Sequence, residues 1–156
     1  MGSSIPGATK YWLNLATTTL AASTDTPNNS TPYVWFGKSL GKFIAPVTLQ
    51  VMSIIDIKHD WAELGSLYKV EESYKIRNQL VSYAGDIDYL SRMTEVFENF
   101  LMLTIALAAD YTLGNNIRLC LPAVSGEVIP SPGTNGSSMC TLTFDIHCEA
   151  RIQSIS

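Results

Sequence analysis

A chain of 156 residues has the length of one domain and can bury a substantial core. Charged residues make up only 15% against 46% apolar, and the net charge is −4, so there is no basic field with which to grip nucleic acid, and part of an unusually uncharged surface is expected to be interface. The cysteines, Cys120, Cys140 and Cys148, are odd in number, no secretory signal is evident, and the longest apolar run, Phe97 to Ala109, is interrupted by Glu98 and Asn99, which points to a reduced, cytosolic site of assembly and no membrane span.

MGSS at the start has the composition of an appended leader, and Pro6 suits the first turn of a helix reaching Ala22 with a loose apolar stripe of Tyr11, Leu13, Leu15 and Leu20. Ser23 to Pro32 is a polar, proline-bearing loop, and Tyr33 to Phe36 a short strand of aromatic and β-branched residues. Val47 to Ile57 predicts a mostly apolar strand suited to the middle of a sheet, with Val47, Leu49, Val51, Ser53, Ile55 and Ile57 sharing one face. Lys58 to Ser66 carries His59, Asp60 and Gly65 and reads as a surface connection.

In Leu67 to Tyr83, Val70, Tyr74, Ile76 and Leu80 alternate with Lys69, Glu71, Ser73, Lys75, Arg77 and Gln79, which predicts a long strand with one buried face; Glu72 and Asn78 interrupt that face and mark a bulge or a polar patch. Gly85 and Asp86 end it, and Asp88 is placed to cap a helix running to Ala109. Leu90, Met93, Phe97, Phe100, Thr104 and Leu107 follow helical spacing, widened by Val96 and Leu103, and predict the core face. Leu101, Met102, Ile105 and Ala108 make the second half apolar nearly all round, so a second burying surface is needed, either the N-terminal helix or a neighbouring subunit.

Asp110 to Asn116 stops this helix, with Gly114 able to take a positive φ. Ile117 to Val124 predicts a strand with Ile117, Leu119, Leu121 and Ala123 inward, and Ser125 to Ser138 a long loop that projects Val128 and Ile129 toward a partner. The chain closes on Met139 to Ile152, in which Cys140, Leu142, Phe144, Ile146, Cys148, Ala150 and Ile152 alternate with polar residues; at about 3.3 Å per residue this strand is about 45 Å long. So long an edge needs a partner, and Leu67 to Tyr83 is the stretch that matches it antiparallel. The fold expected is α+β over one domain, residues 1–156: a mainly antiparallel sheet with one long helix packed across it and a shorter N-terminal helix.

No constellation of catalytic, metal-ligating or cofactor-binding residues is expected. His59, Asp60 and Glu63 lack the spacing of a metal site, and Cys140 and Cys148, eight residues apart on a strand, read as core fillers. The charges around His147 are explained by pairing of Asp145 and Glu149 with Lys75 or Arg77 across the strands. The residues expected at an interface are Leu101, Met102, Ile105, Val128, Ile129, Lys75 and Arg77.

Trp61-Ala62-Glu63-Leu64-Gly65, Glu71 to Ile76, Ser82 to Asp86, the long helix, Asp110-Tyr111-Thr112-Leu113-Gly114 and the close on Glu149-Ala150-Arg151-Ile152 together resemble, in order and spacing, the tail terminator proteins of long-tailed bacteriophages, as found in actinobacterial phages. That resemblance implies a structural virion protein: a ring of copies, usually six, that caps the tail tube, stops its growth and joins it to the neck proteins below the head. It implies assembly in the bacterial cytoplasm, residence in the tail-neck region, a tail-tube protein and a neck or head-completion protein as partners, and DNA only as passing through the lumen. The alternatives are another neck or head-completion protein or, from a different class, a small enzyme or ligand-binding domain using His59, Asp60 and His147.

Overall fold

The computed structural model describes residues 2–26, 32–37, 47–64, 67–121, 127–132 and 137–155, with the backbone alone for residues 47, 63, 64, 67, 68, 127–132 and 153–155. The elements are α1 (Ile5–Ala21), β1 (Tyr33–Phe36), β2 (Val47–Leu64), β3 (Leu67–Ala84), α2 (Tyr89–Ala109), β4 (Leu119–Leu121), β5 (Glu127–Pro132) and β6 (Ser138–Ile155). This is an α+β fold, a mainly antiparallel sheet with two helices on one face.

β3 and β6 pair antiparallel without a break from Leu67↔Ile155 to Ala84↔Ser138, as the matching lengths predict. β2 lies on the other edge of β3, β1 adds in parallel to β2, and β4 and β5 both pair with the free edge of β6. The buried residues of β3 and β6, among them Tyr74, Ile76, Leu80, Leu142, Phe144, Ile146 and Cys148, form one core with Trp12, Ala16 and Leu20 of α1 and Val96, Leu103 and Leu107 of α2. A smaller cluster on the far face joins Leu49, Val51, Val81 and Met139.

Three strand expectations are corrected. Lys58 to Leu64 is not a connection but the second half of β2, because the register shift between Ile55 and Lys58 accommodates a bulge, with Asp56 at a φ of 54°, beyond which the strand resumes its pairing with β3. Both faces of β2 contribute to packing: Leu49 and Val51 meet the far cluster, whereas Thr48, Gln50 and Met52 are fully buried. Between Ile117 and Val124, the described strand is only Leu119–Leu121, and it turns Cys120 inward while Leu121 is 50% exposed; residues 122–126, with Ala123 and Val124, lie outside the described residues.

The third correction concerns the expected projecting loop. Glu127–Pro132 is strand β5, with Val128 opposite Leu142 and Ile129 opposite Thr141. Pro130 and Pro132 obscure it in the sequence, yet prolines are tolerated on an edge strand, where the missing N–H is not needed by a further neighbour. Their partner β6 would otherwise leave this part of its second edge unpaired. Residues 133–136 lie outside the described residues.

Buried polar groups position the helices. Ser3 and Ser4, far from being an idle leader, hold Glu72, which is 1% exposed: Ser3 Oγ donates at 2.7 Å, Ser4 N at 2.8 Å and Ser4 Oγ at 2.6 Å, and His59 Nε2 lies 2.7 Å away. Farther along α1, Trp12 Nε1 and Gln50 Nε2 each donate to Asn78 Oδ1 at 2.9 Å, and Asn78 Nδ2 donates to the Ile76 carbonyl at 3.0 Å. Glu72 and Asn78 therefore interrupt the apolar face of β3 as polar anchors for α1, with no bulge in β3 itself. Gly114 takes a φ of 66°, and the Tyr11 ring packs so closely over it that a β-carbon would collide.

Candidate interaction surface

α2 has the limits its sequence predicts. Asp88 caps it by accepting from Ser91 N at 3.1 Å. Its rotation about its own axis is different. The residues facing the core are Arg92, Val96, Asn99, Leu103 and Leu107, while Leu90, Met93 and Phe97, expected in the core, are 67%, 36% and 45% exposed. Phe100 alone of the flanking aromatics turns in, its ring centroid 4.8 Å from that of Phe144.

The cause is polar. Arg92 reaches Asp86 at 3.1 Å and makes a two-pronged contact with Glu95 at 2.6 and 3.1 Å, and Glu95 accepts from Ser82 on β3. Asn99 Nδ2 donates to the Asp25 carbonyl at 3.0 Å, and its Oδ1 accepts from Ser23, which fixes the segment after α1. Turning the helix would separate these groups from Asp86, Ser82, Ser23 and the Asp25 carbonyl, and an unsatisfied buried polar group is costly.

Leu90, Met93, Phe97, Leu101 and Ile105 consequently form a continuous apolar sector along the outside of α2, with Leu101 at 53% and Ile105 at 62% exposure. Thr94, Thr104 and Ala108 fall within the same sector, and its one charge, Glu98, lies at its rim. Of the expected interface residues, Leu101 and Ile105 belong to this sector, and Met102 is half-buried beside it. α1 does pack against α2 but leaves the sector uncovered. Several half-exposed large side chains in one stripe make this sector a candidate interaction surface.

The other expected interface residues lie elsewhere. Arg77 forms a two-pronged pair with Asp145, directly opposite it on β6, at 2.9 and 3.1 Å, and the pair holds the Arg77 guanidinium above its ordinary pKa. Lys75 turns instead to Asp56 in the bulge at 3.3 Å, while Glu149 meets Arg118 at 3.4 Å. Val128 and Ile129 sit on edge strand β5 rather than on a projecting loop.

His59 lies opposite Glu72 and His147 opposite Lys75, positions of opposite parity on β3, so the two imidazoles occupy opposite faces of the sheet. They do not converge with Asp60 on one pocket. Among the described residues no group of three or more His, Cys, Asp or Glu side chains is placed to hold a metal ion. The thiols are all buried and free, and burial raises each above its ordinary pKa, Cys120 to about 11. Cys120 is directly opposite Cys148 on β6, a proximity that spacing along the chain does not reveal.

Two further surfaces stand out. The outer half of β2 exposes Ile57 at 57% and Trp61 at 70%. At the opposite side of the helix layer from α2, a groove of about 430 Å³ with almost wholly apolar walls lies between α1 and β1, lined by Ile5, Pro6, Thr9, Lys10, Leu13 and Phe36. No helix among the described residues is long and apolar enough to cross a membrane.

The fold and its surfaces thus define an α+β domain with an uncovered apolar helix. The sequence matches no protein-family model and no curated protein.

Proposed function

We propose that the chain is a non-enzymatic virion protein that forms a ring on the end of a phage tail tube, stops growth of the tube there and joins the tail to the neck below the head. The observation that carries this reading is the uncovered apolar sector of α2: a helix held in place by buried polar contacts presents Leu90, Met93, Phe97, Leu101 and Ile105 outward, which suits a subunit completed by its neighbours. The long paired strands β2, β3 and β6 and the exposed Ile57 and Trp61 on β2 agree with a part that lies against other proteins. The resemblance of Trp61 to Ile152 to tail terminators supplies the particular assembly.

The test is to mix the purified chain with tail-tube protein and follow assembly by light scattering and negative-stain imaging. Rings seated on tube ends and tubes of limited length are expected; a chain that neither forms rings nor binds tube ends overturns the reading. Deleting the gene from a phage distinguishes the neighbouring role. Overlong, irregular tails follow from loss of a terminator, whereas normal detached tails beside DNA-losing heads identify a neck protein.

A further inference from the structure

The two uncovered apolar surfaces are complementary and lie on opposite flanks of the helix layer. α1 is packed against β1 and α2, while α2 rests on β3, β6 and β5, so the α1 groove opens on the β1 side and the exposed sector of α2 faces away from α1. One surface is convex and the other concave. Phe97 to Ile105 rises about 12 Å along α2, and Ile5 to Leu13 rises about 12 Å along α1, so the lengths match.

Their charges match too. Among the described residues neither Glu98, at the rim of the α2 sector, nor Lys10, in the wall of the groove, has an ion-pair partner, although most other charged side chains do.

We propose that the exposed sector of α2 in one copy seats in the groove between α1 and β1 of a second copy, with Phe97, Leu101 and Ile105 against Ile5, Leu13 and Phe36, and Glu98 beside Lys10. A contact between different patches on opposite flanks is head-to-tail, so every copy can both give and receive it. Such contacts close into a ring when the rotation allows and otherwise extend into a filament. The inference deepens the ring reading and rests on it only for closure.

Glu98→Lys and Lys10→Glu test the pairing, since both side chains are exposed and neither change disturbs the core. Sedimentation velocity over a concentration series is expected to show self-association of the unaltered chain, weakened roughly tenfold or more in each variant alone, which corresponds to about 1.4 kcal/mol. An equimolar mixture of the two variants restores it, because in an alternating assembly every contact again joins one acidic and one basic side chain, either the two introduced residues or the two native ones. As a second readout, a chain carrying both Phe97→Cys and Leu13→Cys is expected to form an intermolecular disulfide ladder under mild oxidation, its native cysteines being buried. Association that survives both charge reversals, or that the mixture fails to restore, overturns the pairing while tube-end binding continues to support a ring built by another contact. A chain that stays monomeric to millimolar concentration and gives no ladder, even on tube ends, overturns it as well. Loss of tube-end binding by the unaltered chain is the separate result that overturns the ring reading.

Discussion

Replacing Leu101 by aspartate separates what α2 does for folding from what it does for assembly. Fully burying a Leu, Ile, Phe or Met side chain contributes about 1.5–3 kcal/mol. Leu90, Met93, Phe97, Leu101 and Ile105 retain between 36% and 67% of their exposure in the isolated chain, so covering the rest is worth roughly 1 kcal/mol each and about 5 kcal/mol for the sector. Association costs about 4–15 kcal/mol in lost rotational and translational freedom. One such contact is close to break-even, so free copies associate weakly, and a closed ring gains because its final contact forms between copies already held together. Leu101→Asp removes about 1 kcal/mol of this burial and places an unpaired carboxylate in the contact at a cost of several kcal/mol, so ring formation and tube-end binding fall by more than about 100-fold. Folding stability in urea changes by less than about 0.5 kcal/mol, as for other surface substitutions. Leu103→Ala, two residues on and fully buried, does the opposite: about 2–5 kcal/mol of stability is lost. If Leu101→Asp unfolds the chain and Leu103→Ala does not, the rotation of α2 is wrong; if Leu101→Asp assembles like the unaltered chain, the sector is not the interface.

Asn78→Ala leaves the buried donors of Trp12 and Gln50 without their acceptor, so a loss of about 2–4 kcal/mol in urea unfolding is expected. Trp12→Phe costs stability by itself through the cavity it leaves, but the double variant should lose less than the sum of the two, and additive losses would show that the two side chains do not act together. Although burial alone would raise the Glu72 carboxyl, the bonds from Ser4, Ser3 and His59 hold it below its ordinary value of 4.5. Its contribution is therefore present above pH 4.5 and is lost as pH falls from there through the depressed folded value. Glu72→Gln should flatten that acid limb of the stability curve, and an unchanged limb would refute the assignment. Because burial raises every thiol, a thiol reagent at pH 8 should label none of the cysteines before unfolding and all of them after it, which mass spectrometry reads directly.

The parts of this fold legible in the sequence are those where one periodicity dominates. β6 alternates without exception from Cys140 to Ala150, and every second residue is buried; β3 matches it in length, and the two pair throughout. The limits of α2 were legible from Asp88 and from the polar run after Ala109. What periodicity misses is context. The outer half of β2, Lys58 to Leu64, looks like a surface connection because it is largely polar in sequence, and Lys58 to Ala62 are exposed, yet backbone pairing to β3 holds it as strand. β5 is hidden by prolines that only an edge tolerates. The partners of Glu72 and Asn78 in and just before α1, which are Ser3, Ser4 and Trp12, lie more than 60 residues away, and no local pattern signals them. The candidate surface was half legible: an apolar surplus on α2 is plain from Leu101, Met102 and Ile105, but which side faces out is not.

That ambiguity in α2 has a physical origin that bears on function. Val96, Phe100, Leu103 and Leu107 on one side and Leu90, Met93, Phe97, Leu101 and Ile105 on the other are apolar sets of comparable size, so hydrophobic burial alone barely distinguishes two rotations of the helix. The decision falls to Arg92, Glu95 and Asn99, since turning them outward would leave Asp86, the buried Ser82 of β3 and the Asp25 carbonyl without these partners. Polar contacts worth a few kcal/mol in total thus outweigh an apolar difference near zero. A helix whose only task was to cover the sheet would be expected to carry polar residues on its outer face; α2 instead carries a second apolar side, with its rotation fixed by an ion-pair cluster at one end and a buried asparagine at the middle. Exchanging Leu101 and Ile105 for lysine should therefore leave the fold intact while abolishing assembly, as read by urea unfolding and by sedimentation of the same sample; a variant that still assembles would show that the outer side of α2 serves neither purpose.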